Sequence, residues 1–137
     1  MKKLRVKAKI ENYEMCAAFI EEQLEEKEFD RKSIIKVVTA CEEIIVNVMN
    51  YAYDDGEGDL EIAFEDGMDY VSITFIDEGA PFNPFEQPAI NVNLDLEERE
   101  VGGLGILMVK SMMDDMHYEY KGKQNRLTIK KFLDRKF

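Results

Sequence analysis

Leu4, Val6, Ala8 and Ile10 alternate with Arg5, Lys7 and Lys9, the two-residue period of a strand with one buried face. The period then lengthens. Asn12 can cap a helix over about residues 13–27, with Met15, Ala18, Phe19 and Leu24 toward the core and the acidic run EEQLEEKE toward water. A second helix opens at Asp30, a good capping residue, and runs to about residue 53. Along it Ile34, Val38, Cys41, Ile45, Val48 and Ala52 recur at spacings of four and three, making one apolar stripe. DDGEGD, residues 54–59, lacks the spaced oxygen ligands of a calcium loop and reads as a plain turn.

Alternation returns at Leu60, Ile62 and Phe64, and EDGMD supplies a hairpin connection to a strand with Val71, Ile73 and Phe75 inward. Residues 78–101 contain all three prolines and the charged run DLEERE. They read as a long irregular loop, a feature that compact domains usually keep for function. A glycine-led helix to about residue 116, a strand over 117–121, a KGKQN turn and a last strand RLTIKKF complete the chain. The order β-α-α-β-β-loop-α-β-β predicts one domain over residues 1–137. Its class is α/β (α+β): a two-layer sandwich with a largely antiparallel sheet and helices on one face.

Charge narrows the partners. The 137 residues carry 29 acidic and 18 basic side chains, a formal net charge of −11. That argues against nucleic acid, which needs a cationic footprint, and against an anionic membrane surface. Basic protein partners suit such a chain better. No apolar run approaches membrane-spanning length and no signal peptide stands at the start, so a cytoplasmic protein is expected. Cys16 and Cys41 lie far from any CxxC or Cys/His spacing and read as buried free thiols.

Three places do not fit a plain core. Glu43, Asn47 and Asn50 form a polar stripe on the second helix, out of phase with the apolar one and with no lysine or arginine between Glu42 and Asp54. An exposed helix face and a ligand-facing stripe would both look like this. Asp77 has the same strand parity as Val71, Ile73 and Phe75. A carboxylate pointed toward a core is costly unless a hydrogen bond reaches it or the strand end frays into water. Finally, VGGLG places Gly102, Gly103 and Gly105 at a helix start, where bare amides and the helix dipole can receive an anion. Together these parts can surround a nucleotide, with amides on the phosphates and the aspartate on the base.

CEEIIVNVMNYAY, IDEGAPFNP and EREVGGLGILMV resemble, in order and spacing, the N box and the two glycine boxes of the GHKL ATPase superfamily. The size and the closing MDDMHYEYKGKQNRLTIKK look most like the small anti-sigma-factor serine kinases of the RsbW and SpoIIAB type. The resemblance implies a GHKL ATPase fold and a function: an ATP-dependent protein-serine kinase that restrains a sigma factor and phosphorylates a serine of an STAS-domain anti-anti-sigma protein. It implies Glu43 as general base, Asn47 as ligand of Mg2+, and Asp77 with Gly79 on the adenine amino group. It further implies Arg99, Gly103, Leu104 and Gly105 at the phosphates, residues 80–101 as an ATP lid, Thr128 beside the base, and a homodimer. The alternative is a nucleotide-gated module that sequesters a sigma factor or other regulator without phosphoryl transfer.

Overall fold

The computed structural model describes residues 1–27, 29–55, 57–84 and 103–132, with side chains from residue 108 onward in the last segment. The strands are β1 (Lys2–Lys7), β2 (Asp59–Asp66), β3 (Tyr70–Asp77), β4 (Asp115–Lys121) and β5 (Gln124–Phe132). The helices are α1 (Tyr13–Glu25), α2 (Arg31–Tyr51) and α3 (Gly103–Met112). The strands form one sheet in the order β1-β2-β3-β5-β4, every neighbouring pair antiparallel. The expected two-layer sandwich is present.

Period-two alternation explains which face of the sheet is covered. Leu60, Ile62, Val71, Ile73, Phe75 and Ile129 join one core cluster with residues from the helices. The intervening positions Glu61, Ser72, Thr74 and Thr128 stay partly exposed on the other side. α2 packs against α1 on one flank and α3 on the other, so it is the helix around which the layer is built. Its start is as expected: Asp30 accepts a hydrogen bond from Ser33 N at 3.3 Å. Its most buried line, Val37, Ala40, Cys41, Ile44 and Ile45, lies close to the expected stripe. Ile34, Val38 and Val48 pack at its margin.

Several expectations need correction. β1 ends at Lys7, and Ile10 opens a 3-10 turn with 59% of its surface exposed. Asn12 does not cap α1 with its side chain; its Nδ2 donates instead to Lys7 O at 2.9 Å. The amide therefore ties the end of β1 to the helix start. α1 buries Cys16, Ile20, Gln23 and Leu24, while Met15 is 55% exposed and Ala18 faces water. Phe19 is only half-buried at the core margin. The third helix ends at Met112 rather than near 116, because Asp115 and Met116 already pair with β5. The expected KGKQN turn narrows to Gly122 at φ +60° and Lys123 at φ +62°, the left-handed pair that closes a two-residue hairpin, while Lys121 belongs to β4 and Gln124 and Asn125 to β5. Both cysteines are free and buried, as expected.

Candidate functional site

The C-terminal end of β3 and the last turns of α2 border a cavity of about 820 Å³, a size suited to a ligand of nucleotide dimensions. Asn47 and Tyr51 reach it from α2, Asp77 and Gly79 from the exit of β3, and Tyr118 and Asn125 from β4 and β5. Apolar walls come from Ile44, Val48, Phe75 and Leu127. Mixed walls with few polar groups are what a flat heterocycle needs: apolar surface for its faces and a fixed acceptor for its edge.

Asp77 is the buried carboxylate of this wall. It is 8% exposed, and its Oδ1 receives Gly79 N at 2.9 Å and Asn125 Nδ2 at 2.9 Å. Among the described residues no hydrogen bond reaches Oδ2. Burial pushes the Asp77 carboxyl above its ordinary pKa, against the opposing pull of the Asn125 and Gly79 hydrogen bonds. The parity argument for Asp77 thus has its physical resolution. The carboxylate is paired on one oxygen and lines a cavity with the other partner position open.

Asn125 stands directly opposite Asp77 in the β3–β5 register. Its Nδ2 also donates to Ala80 O at 2.9 Å and, more weakly, to Gly79 O at 3.3 Å. Its Oδ1 accepts from Phe82 N at 3.0 Å and from the Tyr118 hydroxyl. One amide therefore joins three strands and the first turn of the following loop. A second tie lies just beyond α2. The Tyr53 hydroxyl accepts from Glu78 N at 2.7 Å and donates to Asp59 O at 2.7 Å.

Neither Asn125 nor Tyr118 is singled out by the sequence reading. A signal existed for Asn125: it shares parity with Leu127 and Ile129, so a polar amide stands on the core face of a strand, the same anomaly as Asp77. Thr128, expected beside the base, has the opposite parity. Its Oγ1 lies 2.9 Å from Thr74 Oγ1 on the face away from the helices, and it does not line the cavity. His117, the only histidine, is exposed on β4.

Glu43 is half-buried on α2, one helical turn before Asn47, which places the two on one helix face. Asn50 is exposed. Gly103, Leu104 and Gly105 form the first turn of α3, the helix that packs against α2. Arg99 and Gly102 lie outside the described residues, as does the expected lid beyond residue 84. Among the described residues no group of three or more His, Cys, Asp or Glu could hold a metal, and no helix is long and apolar enough to cross a membrane.

Gly79 has no room for a side chain. A Cβ there would collide with the carbonyl oxygen of Ala52 and come within 3.1 Å of Asp77 Oδ1. Gly79→Ala is therefore expected to cost about 1–3 kcal/mol of stability, the usual range for overpacking against backbone. It should also weaken binding of any ligand that pairs with Asp77, because relief requires the Gly79 amide to move off Asp77. Thermal unfolding and calorimetric titration check the two effects; a variant with the wild-type midpoint and affinity would contradict the close packing.

Residues 6–131 match the family model of the histidine kinase-like ATPase domain. The serine-protein kinase RsbW of Oceanobacillus iheyensis is 30% identical over 93 residues, a match that takes in 64% of this chain and 59% of that protein. The chain thus spans less than two thirds of the length of that relative. Two solved structures share the fold. The RsbU and RsbW domains of a Mycobacterium tuberculosis protein superpose with a TM-score of 0.64 at 19% identity, covering 98% of this chain and 33% of the other. The Acinetobacter baumannii histidine kinase AdeS gives a TM-score of 0.52 at 16% identity, covering 98% and 70% respectively.

Proposed function

The chain belongs to the histidine kinase-like ATPase domain family, and from that membership we propose that it is an ATP-dependent protein-serine kinase acting as an anti-sigma regulatory factor. Its substrate in this reading is a serine of an STAS-domain anti-anti-sigma protein. The observation that carries the nucleotide assignment is the buried Asp77, held on one oxygen and bordering a cavity with apolar walls. An adenine offers an amino group to such a carboxylate and two apolar faces to such walls.

Electrostatics orient the nucleotide. Asp54, Asp55, Glu57 and Glu78 border the cavity at the C-terminal end of α2, a place unfavourable to phosphate on both charge and dipole grounds. The triphosphate is therefore directed the other way, toward Asn47 and the first turn of α3, where Gly103, Leu104 and Gly105 supply backbone amides. Arg99 is assigned there as an additional cation. A magnesium ion takes oxygen ligands and usually shares them with phosphates; the Asn47 amide oxygen fits that role, and the ion would supply charge neutralisation.

Glu43, a turn further from the base pocket than Asn47, is assigned as general base. It takes the proton of the substrate serine as that oxygen bonds to the γ-phosphorus; the bond from the γ-phosphorus to the β–γ bridging oxygen breaks, and ADP leaves. The name of the Oceanobacillus relative supports transfer to serine.

The test is capture of partners by the tagged full chain from host lysate, once with Mg·ATP and once with Mg·ADP, followed by mass spectrometry. The expected result is an STAS-domain protein that carries new phosphoserine only with ATP. A partner retained in a nucleotide-dependent manner but never phosphorylated would replace the kinase reading by a gated binding module.

A further inference from the structure

The hydrogen-bonding capacity of Asn125 is fully used inside the protein. An amide side chain has two N–H donors and one carbonyl oxygen with two lone pairs. Here the donors go to Asp77 Oδ1 and Ala80 O, each at 2.9 Å, with Gly79 O as a longer third acceptor. The oxygen takes Phe82 N and the Tyr118 hydroxyl. The side chain is 7% exposed. A saturated, buried amide has nothing left to give a ligand, yet all its partners belong to the cavity wall. Its function must therefore be exerted through them.

We propose that Asn125 is a positioning residue for base recognition. It clamps Asp77 Oδ1 and the backbone of residues 79–82 into one unit, so that only Asp77 Oδ2 is offered to the ligand. A purine carrying an amino group at that edge is accepted; a purine carrying an oxygen there meets a fixed carboxylate and is refused. Without the clamp Asp77 can rotate about its own side-chain bonds and present either oxygen, or turn aside. The inference rests on the reading of this cavity as a nucleotide site.

The ionisable groups of the cavities that border the pair are Tyr118 on β4, Tyr53, Asp54, Asp55 and Glu57 beyond α2, Glu78 on the loop, Asp59 and Glu61 on β2, and Arg5 on β1, which is paired with Asp59 at 3.0 Å. None can replace the second donor that Asn125 provides. The tyrosine hydroxyls already serve Asn125, Glu78 N and Asp59 O.

The experiment measures magnesium-dependent binding of ATP and of inosine triphosphate, which carry an amino group and an oxygen respectively at the edge in question. The proteins are wild type, Asn125→Ala and Asn125→Asp, each first shown to unfold cooperatively. In Asn125→Ala, ATP affinity should fall roughly tenfold, the scale of one hydrogen bond to a charged group. Inosine triphosphate should be little affected, so that discrimination collapses by the same factor.

Asn125→Asp keeps the shape and the acceptor oxygen but loses the donors when ionised. Two touching carboxyls share one proton, which restores the clamp while it is present. As pH rises and that proton leaves, the two charges repel. ATP affinity of this variant should therefore fall by about tenfold or more as pH rises, whereas that of the wild type should not fall. A residue that only stabilises the fold would lower the unfolding midpoint without altering either the ATP-to-inosine ratio or the pH profile. Folded variants with the wild-type ratio and a flat profile overturn the proposal.

If the wild type itself takes no ATP, the cavity reading fails. The clamp is then decided by the Asp77 carboxyl titration in the nucleotide-free protein, followed by NMR. A higher pKa in Asn125→Ala sustains it, and an unchanged pKa overturns it.

Discussion

Asp77→Asn is expected to remove ATP binding while leaving the protein folded. A hydrogen bond to a charged partner is worth about 1.5–3 kcal/mol, roughly ten- to a hundredfold in affinity, before any repulsion is counted. The amide adds repulsion in either orientation. With its nitrogen toward the cavity, it faces the amino group of the base, donor against donor. With its nitrogen turned inward, it faces Gly79 N and Asn125 Nδ2, which are both donors to that position in the wild type. No rotamer serves both sides. A loss of a hundredfold or more is the expected order, since a site built around a specific hydrogen bond rejects the unmatched group strongly.

Stability should move far less, and the sign follows from the same burial. The folded-state pKa of Asp77 lies above its ordinary value because burial disfavours the charge. A raised carboxyl pKa contributes stability below the unfolded-state value and loses it as pH rises through the folded-state value. Above that folded-state value the ionised Asp77 is thus held against a cost, which a neutral amide does not carry. Cooperative unfolding near the wild-type midpoint, together with lost calorimetric binding, would match the expectation. Unaltered ATP affinity would end the site assignment. In the wild type, ATP affinity should also fall as pH is lowered through the Asp77 pKa, because protonation removes the acceptor.

Asp77 was legible in the sequence because a strand alternates strictly: its parity with Val71, Ile73 and Phe75 put a carboxylate on a core face before any partner was known. The same rule, applied to β5, would have separated Asn125 from Thr128. The resemblance drew attention to the threonine, whereas the alternation of Asn125, Leu127 and Ile129 places the amide on the cavity side. The partners of Asn125 could not be read at all. They lie on β3, on the loop after it and on β4, and only sheet order brings them together.

The helices divide differently. α2 carries a long stripe and a capping aspartate, so its existence and inward side were clear. α1 offers two competing sets, Met15–Ala18–Phe19 and Cys16–Ile20, offset by roughly 125° of helix rotation, and Leu24, expected inward with the first, goes with the second. Which set turns inward is settled by packing against α2 and the sheet. The outcome buries Gln23 and leaves Met15 in water, a result that hydrophobicity alone would not choose.

Glu43→Gln is expected to abolish phosphoryl transfer while ATP still binds. The substitution is isosteric and keeps the helix face, so the contacts of α2 with α1 and α3 should persist. What it removes is the capacity to take a proton. General-base contributions run to about a hundred- to ten-thousandfold in rate, and a loss in that range should appear in single-turnover phosphorylation of the substrate serine. ATP affinity should stay within about twofold, because Glu43 is not among the residues lining the base cavity and the carboxamide preserves volume.

The neighbouring Glu42 provides the internal control. It faces the Tyr13 hydroxyl of α1, whose pKa is pushed up to about 12 by burial first and by this carboxylate second. Glu42 is thereby directed toward α1, and Glu42→Gln should leave transfer without a comparable loss. Equal transfer rates in Glu43→Gln and wild type would remove Glu43 from the role of base. A large loss in Glu42→Gln with Glu43→Gln unaffected would move the role one residue along the helix. A large loss confined to Glu43→Gln, with nucleotide affinity retained, would separate proton transfer from nucleotide binding along a single face of α2.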